Sequence, residues 1–219
     1  MFKKTTEEKV LRDPVHGYIH VDLQVVWDVI NSSWFQRLRR IRQLGGAYVV
    51  YHCAEHSRFG HSLGVYELVR RMVSEVQDIS NALNEREKVT AMLAGLLHDI
   101  GHGPYSHAFE GVTKTSHEEF TCRIIEENTE ITKILEDCCE GLSKDVADVI
   151  RHESSNPLLS QLISSQLDAD RFDYLLRDAY FTGTKYGEYD LERILRTMRV
   201  HDGKQLVIKE SGVYAVENY

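Results

Sequence analysis

His98-Asp99-Ile100-Gly101-His102-Gly103-Pro104-Tyr105-Ser106-His107 packs three histidines and an aspartate into ten residues, directly after the apolar run Val89 to Leu97. That run has helical spacing, with Val89, Met92, Leu93, Leu96 and Leu97 on one face, and Asn84 with Glu87 three residues on reads as a capping box at its start. So apolar a helix belongs at the centre of the core, and imidazole and carboxylate emerge where it ends. Glycine then lets backbone approach closely, and proline stops the helix from continuing. The stretch suits holding a metal ion and a reacting group together.

Upstream, Arg58-Phe59-Gly60-His61-Ser62-Leu63-Gly64 leads into a helix with Val65, Leu68, Val69, Met72, Val73 and Val76 at i, i+3, i+4 and i+7 spacing, so His61 opens a buried helix. Asp13-Pro14-Val15-His16-Gly17 reads as a turn into a short alternating edge strand through Val21. From Asp22 the spacing is helical through Val25, Val26, Val29 and Ile30. It breaks at Asn31-Ser32-Ser33 and resumes through Phe35, Leu38 and Ile41. The second segment carries Arg37, Arg39, Arg40 and Arg42, read from charge alone as a solvated face, with a phosphate site as the alternative. Gly45-Gly46 ends it, and Ala47 to Tyr51 reads as a short strand or extended loop leading to His52 and His56, each structural when taken singly.

Downstream, Ser116 with Glu119 caps a helix to about Asn128, Ser143 begins one ending near His152, and Asn156-Pro157 supplies an N-cap and first-turn proline. The run Leu158 to Arg177 reads as amphipathic helix containing Leu167-Asp168-Ala169-Asp170-Arg171-Phe172-Asp173-Tyr174. The acidic residues at 168, 170, 173 and 178 cannot all face the core unpaired. A Gly/Tyr-rich loop, Phe181 to Tyr189, precedes a short helix from Asp190 to about Met198, and Asp202-Gly203 between β-prone runs signals a hairpin. The count is eight or nine helices with one or two small strand pairs: a mainly α fold.

A chain of 219 residues with 42% hydrophobic and 27% charged residues buries one principal core, and three prolines leave little room for stiff linkers. A formal charge of −8 excludes a general affinity for nucleic-acid backbone. Cys53, Cys122, Cys138 and Cys139 lack Cys-x-x-Cys spacing and read as reduced thiols. The apolar run Ala91 to Leu97 is too short to span a membrane, and the amino terminus lacks the apolar segment of a signal peptide, so the expected location is the cytoplasm.

His61, His98, Asp99 and Asp170 together offer two imidazoles and two carboxylates from three helices, a mixture suited to Mn²⁺, Fe²⁺, Zn²⁺, Ni²⁺ or Mg²⁺. Arg58-Phe59-x-His61-Ser62-Leu63-Gly64, His98-Asp99-x-Gly101-His102-Gly103-Pro104-x-Ser106-His107 and Asp168-x-Asp170-Arg171-Phe172-Asp173-Tyr174 resemble the HD-domain superfamily, in its branch of deoxynucleoside triphosphate triphosphohydrolases. Asp13-Pro14-x-His16-Gly17, Gln36-Arg37-Leu38-Arg39 and Gln43-Leu44-Gly45-Gly46 extend the resemblance over nearly the whole chain.

The resemblance implies an HD-domain helical fold, mainly α with a small peripheral β-hairpin element. It implies a phosphohydrolase core over residues 1–198 and the start of a truncated C-terminal lobe over 199–219, because Val213 to Tyr219 resembles the opening of a helix that family members continue. The implied activity is metal-dependent hydrolysis of a dNTP to deoxynucleoside and triphosphate. His61, His98, Asp99 and Asp170 would hold one divalent ion, with Mg²⁺ accompanying the nucleotide. His102, His107 and His117 would lie toward the phosphates, His107 with Glu110 donating the proton to the leaving 5′-oxygen; family members carry aspartate where Glu110 stands.

Arg58 and Arg171 would bind phosphate, the latter a lysine in the human member. Gln43, Leu44, Tyr174 and Asp178 would hold the deoxyribose and exclude a 2′-hydroxyl; without the resemblance Leu44 and Tyr174 read as core residues. Asn31, Gln36 and Arg39 match an activating-nucleotide site for dGTP or GTP. Asn31 replaces an aspartate there and supplies one acceptor and one donor where a carboxylate accepts twice. A homo-oligomer, dimer or tetramer, is implied for the full-length protein. The alternatives are an HD phosphohydrolase acting on other nucleotides and a nucleotide- or metal-binding core with little activity.

Overall fold

The computed structural model describes residues 2–185, 187–217 and 219. Tyr186 of the Gly/Tyr-rich loop, Asn218 of the C-terminal segment and Met1 of the amino terminus lie outside the described residues. The elements run β1 (Lys4–Asp13), β2 (Gly17–Leu23), α1 (Gln24–Asn31), α2 (Ser33–Arg37), α3 (Arg58–Glu75), α4 (Gln77–Ala82), α5 (Glu85–Leu97), α6 (His107–Thr113), α7 (His117–Glu126), α8 (Glu130–Cys138), α9 (Leu142–Ile150), α10 (Pro157–Ile163), α11 (Ala169–Thr182), α12 (Leu191–Thr197), β3 (Met198–His201), β4 (Gln205–Ile208) and α13 (Val213–Glu217). The fold is mainly α, with two separate antiparallel hairpins.

Helices α3 and α5 are the centre. Every residue from Val89 to Leu97 is buried, as are Phe59 and His61 through Val69, because these helices are enclosed by α9, α10 and α11. The capping box at α5 is present in both directions: Glu87 N–H donates to the Asn84 side chain at 3.0 Å and Asn84 N–H donates to the Glu87 carboxylate at 2.8 Å. Removing such a cap costs about 1 kcal/mol. Asn84→Ala should therefore lower the free energy of urea unfolding by about that much without moving any site residue.

The alternation in β2 is as expected, with Ile19, Val21 and Leu23 turned into the core. Its partner β1, highly charged, had no apolar signal, and pairs through register Val10↔His20 and Asp13↔Gly17. Asp13 closes the intervening turn by accepting from the backbone N–H of Val15 and of His16, both at 2.9 Å.

Several expectations are corrected. The described residues contain thirteen α-helices, not eight or nine: α4 and α6 are short and carry few apolar residues, and α8, with Ile131, Ile134, Leu135 and Cys138 on one face, adds another. Ala47–Val49 is a 3-10 turn, not a strand, with Val49 and Val50 exposed, since no neighbouring strand offers a ladder there. Leu158 to Arg177 is two helices, α10 and α11, parted where Asp168 caps α11 by accepting from Arg171 N–H at 2.6 Å. Helix α9 starts at Leu142 after Gly141, whose φ of +74° turns the chain, while the Ser143 hydroxyl donates to Glu136 at 2.5 Å. The second hairpin forms around Asp202 and Gly203, at φ +50° and +70°. All four cysteines are unpaired, and no helix among the described residues is long and apolar enough to cross a membrane.

Candidate metal centre and active site

Three helix ends meet beside the core. His61 sits on the first turn of α3, His98 caps the C-terminus of α5 with Asp99 after it, and Asp170 lies in the first turn of α11. His61 Nε2 lies 3.0 Å from Asp170 Oδ1 and 3.6 Å from Asp99 Oδ2; His98 Nε2 lies 3.4 Å from Asp99 Oδ1 and 3.6 Å from Asp170 Oδ1. Ligand atoms of His61, His98 and Asp170 all fall within 4.8 Å of one another. Both Nε2 atoms are buried and neither makes an aligned hydrogen bond.

The opposite ring nitrogens explain why the Nε2 lone pairs point inward. His98 Nδ1 lies 2.8 Å from the carbonyl of Gly95, which can only accept, so Nδ1 carries the proton. His61 Nδ1 is 2.7 Å from Asp173 Oδ2, an equivalent arrangement with a carboxylate. Burial resists charge on His61, but the carboxylates of Asp170 and Asp173 outweigh it and push the imidazole up to about 10. Burial likewise opposes ionisation of Asp99, yet His98 and Arg58 hold it well below the usual carboxylate range. Converging anionic donors around two unbonded imidazole nitrogens demand positive charge, and a divalent cation fits that demand.

Sequence reading did not anticipate the support behind His61. Asp173, fully buried, accepts from Arg177 Nε at 2.8 Å and Arg177 Nη2 at 2.9 Å, and pairs with His16 Nε2 at 2.6 Å. Arg177 Nη1 continues to Asp13 at 2.9 Å. Gly64 faces this network so closely that a Cβ there would lie 1.8 Å from Asp173 Oδ1, which only glycine permits. The Asp173/Arg177 spacing of four was the available signal. Gly101 is equally constrained: a Cβ would lie 2.2 Å from the His117 carbonyl, and its N–H donates to Thr121 Oγ1, which donates in turn to the His98 carbonyl.

The other histidines form a second group. His102 is buried with Nε2 3.3 Å from Asp99 Oδ1, and its ring stacks on His117 at 3.9 Å and 13°. Burial pushes His102 down to about 4 despite Asp99, so it is neutral near pH 7. Glu110 reaches both remaining rings, at 2.5 Å from His117 Nδ1 and 3.4 Å from His107 Nδ1, so its closer partner is His117. Desolvation is the largest single influence on Glu110 and raises it, but the hydrogen bonds from His117, its backbone N–H and His107 together outweigh it and hold the carboxyl at about 2. Because its ordinary value is 4.5, Glu110 stabilises the fold in full above that pH and the contribution disappears as pH falls toward 2. The stability difference between the chain and Glu110→Gln, measured by urea unfolding, should thus be present at pH 6 and shrink across that acidic range.

Residues expected on substrate are more dispersed in role. Arg58 is buried, its Nη1 donating to Asp99 and its Nη2 to Ser106 Oγ at 2.6 Å, so the guanidinium is already engaged. Asp178 pairs with His56 Nε2 at 2.8 Å, and His56 stacks on Phe181. Sequence reading had placed His56 outside any site, and a lone histidine gives no signal otherwise. Gln43 joins this cluster through its N–H to the His56 carbonyl, and its Oε1 is buried without a partner. Leu44 and Tyr174 are half-buried, and Arg171 has no carboxylate partner among the described residues. On the far side, Asn31 donates to the Trp27 carbonyl at 2.7 Å. Gln36 accepts from Arg39 Nε at 2.8 Å, and Arg39 lies over the Phe59 ring at 3.6 Å.

The family model described as HD domain matches residues 58–178, the span that holds His61, His98, Asp99 and Asp170. The chain belongs to the HD-domain family. Among particular relatives, the uncharacterized protein YwfO of Bacillus subtilis is 54% identical over 216 residues, covering 99% of this chain and 50% of that protein. The deoxynucleoside triphosphate triphosphohydrolase SAMHD1 of Homo sapiens is 32% identical over 227 residues, covering 88% of this chain and 36% of that protein. The crystal structure of the phosphohydrolase BT4208 from Bacteroides thetaiotaomicron superposes with a TM-score of 0.86 at 36% identity, covering 97% of this chain and 51% of that one. The chain spans about half the length of the curated relatives it matches.

Proposed function

We propose that this chain carries the catalytic core of a metal-dependent dNTP triphosphohydrolase, releasing deoxynucleoside and triphosphate. The observation that carries the reading is the pair of buried, unbonded Nε2 atoms of His61 and His98 facing Asp99 and Asp170, with a histidine group adjoining through Asp99. Similarity to SAMHD1 supports the substrate class. His61, His98, Asp99 and Asp170 hold one divalent ion, which supplies Lewis-acid offset of charge growing at the α-phosphorus.

Water attacks that phosphorus, the bond to the 5′-oxygen breaks, and a proton must reach the departing oxygen. His107 is exposed and within reach of Glu110, so it donates that proton, while His117, closer to Glu110, holds the carboxylate in place. Neutral His102 positions Asp99 and meets phosphate as a hydrogen-bonding group. Arg171, free of a carboxylate partner, binds phosphate, and Arg58 acts there through its hold on Asp99 and Ser106. Gln43, Leu44, Tyr174 and Asp178 form the sugar pocket, the Gln43 Oε1 accepting from the 3′-hydroxyl. Asn31, Gln36 and Arg39 take a regulatory nucleotide, dGTP or GTP, in a homo-oligomer.

The test is product analysis. Purified chain with Mn²⁺ or Mg²⁺ is incubated with each dNTP, with and without dGTP or GTP, and the products are separated by anion exchange. Triphosphate with deoxynucleoside is the expected outcome. Release of pyrophosphate or orthophosphate instead assigns a different HD phosphohydrolase reaction, and no turnover under any condition defeats the enzymatic reading of this chain.

A further inference from the structure

An open cavity of about 490 Å³ lies between α2, α6 and α7, against Gly101, Gly103 and Pro104 of the loop that follows the metal ligands. Trp34, Phe109, Phe120 and Ile124 give it apolar walls, and its charged lining is two arginines, Arg37 and Arg123, against one carboxylate, Glu127. The size and the mixture of apolar wall with a few polar groups are those of small-molecule sites.

Its two arginines are not equivalent. Arg123 is already neutralised, its Nε donating to Glu127 at 3.2 Å. Arg37 donates only to carbonyls, Nη1 to His102 at 2.9 Å and Nη2 to Ile100, and it forms no ion pair among the described residues. Its Nε is buried and without any hydrogen-bond partner. Burial lowers its pKa with no carboxylate opposing the effect. Half-buried Arg37 contrasts with the two buried arginines: Arg58 has Asp99, and Arg177 has Asp13 and Asp173. A partly desolvated guanidinium without a counter-charge is costly unless an anion completes it.

We propose that this cavity is a binding site for a small organic anion with a flat apolar body. The body lies among Trp34, Phe109 and Phe120, and the carboxylate or phosphate pairs with Arg37. The claim is one of binding and does not depend on the reaction proposed above.

Isothermal titration of the purified chain tests it with 2-naphthoate, and with 2-naphthylmethanol and acetate as probes keeping only the ring or only the charge. The expected result is one naphthoate per chain, bound at least tenfold more tightly than either comparison probe. Arg37→Met should weaken naphthoate at least tenfold and leave the alcohol within twofold. Because Arg37 also tethers the metal loop, Phe120→Ala provides an independent arm: it removes a half-buried ring from the α7 wall of the cavity and should weaken naphthoate binding at least tenfold with the far-ultraviolet circular dichroism unchanged. Equal affinity for naphthoate and the alcohol, or unaltered naphthoate binding in folded Phe120→Ala, overturns the proposal. So does a fall in oligomeric mass, measured by light scattering, on Trp34→Ala, because the face is then covered by a second copy of the chain.

Discussion

His98→Ala is expected to weaken divalent-metal binding by more than about 100-fold while leaving the helical content intact. Losing a group that only orients a ligand costs about 10- to 100-fold in affinity, so losing the ligand itself exceeds that range. His98 is the right position to remove because its outward nitrogen binds only the Gly95 carbonyl of its own helix, so truncation breaks no interhelical contact on that side. The fold should therefore survive, and any turnover should fall with the metal. Metal content after dialysis, with a Mn²⁺ titration of the refilled protein, checks this; one equivalent retained at unchanged affinity removes His98 from the centre. Asp170→Asn should behave alike, since an amide cannot replace the charge facing both imidazoles at 3.0 and 3.6 Å.

Arg177→Met is expected to cost more stability than any surface change, about 3–5 kcal/mol, because breaking a buried ion pair strands its partner. Here two buried carboxylates lose their guanidinium, Asp13 at the hairpin turn, left with two backbone N–H donors, and Asp173 behind His61, left with the two imidazoles. The methionine keeps the aliphatic stem but vacates the space of the guanidinium, so a small cavity adds to the electrostatic loss. Urea unfolding should show it, and Asp173→Asn combined with Arg177→Met should recover part of it by removing one of the stranded charges. The single variant should also bind Mn²⁺ about tenfold more weakly, since Asp173 then no longer holds the His61 ring in a fixed direction. A variant as stable as the parent would show that the network is solvated and not a buried support.

Read from the chain alone, the central helix and its ending were fully legible: an apolar run as dense as Val89 to Leu97 has nowhere to go but the core, and the capping box at Asn84 and Glu87 is a local signal that the structure reproduces atom for atom. The short helices α4 and α6 were not legible, because amphipathic periodicity needs several turns to show and they have two or fewer each. Helix α8, by contrast, carries Ile131, Ile134, Leu135 and Cys138 at helical spacing after the Thr129 cap, a signal present in the sequence but left unread. Ala47 to Tyr51 misled in the opposite direction: β-prone residues make a strand only where a partner edge exists, and here the segment is an isolated exposed turn.

The candidate site divides along the same line. His98 and Asp99 are adjacent in the chain, so their joint appearance at a helix end was determined by sequence. That His61 and Asp170 reach the same point was implied by resemblance, and the distances within 4.8 Å come from the packing of α3, α5 and α11. Sequence also required that the acidic residues of α11 find partners, but not which. Tertiary structure alone decided that Asp168 caps its helix, Asp170 faces the imidazoles, Asp173 takes Arg177 and His16, and Asp178 takes His56. The physical reason is that a carboxylate's demand for a partner is a property of the residue, whereas the partner lies as many as 157 residues away and is chosen by which helix faces the core brings together.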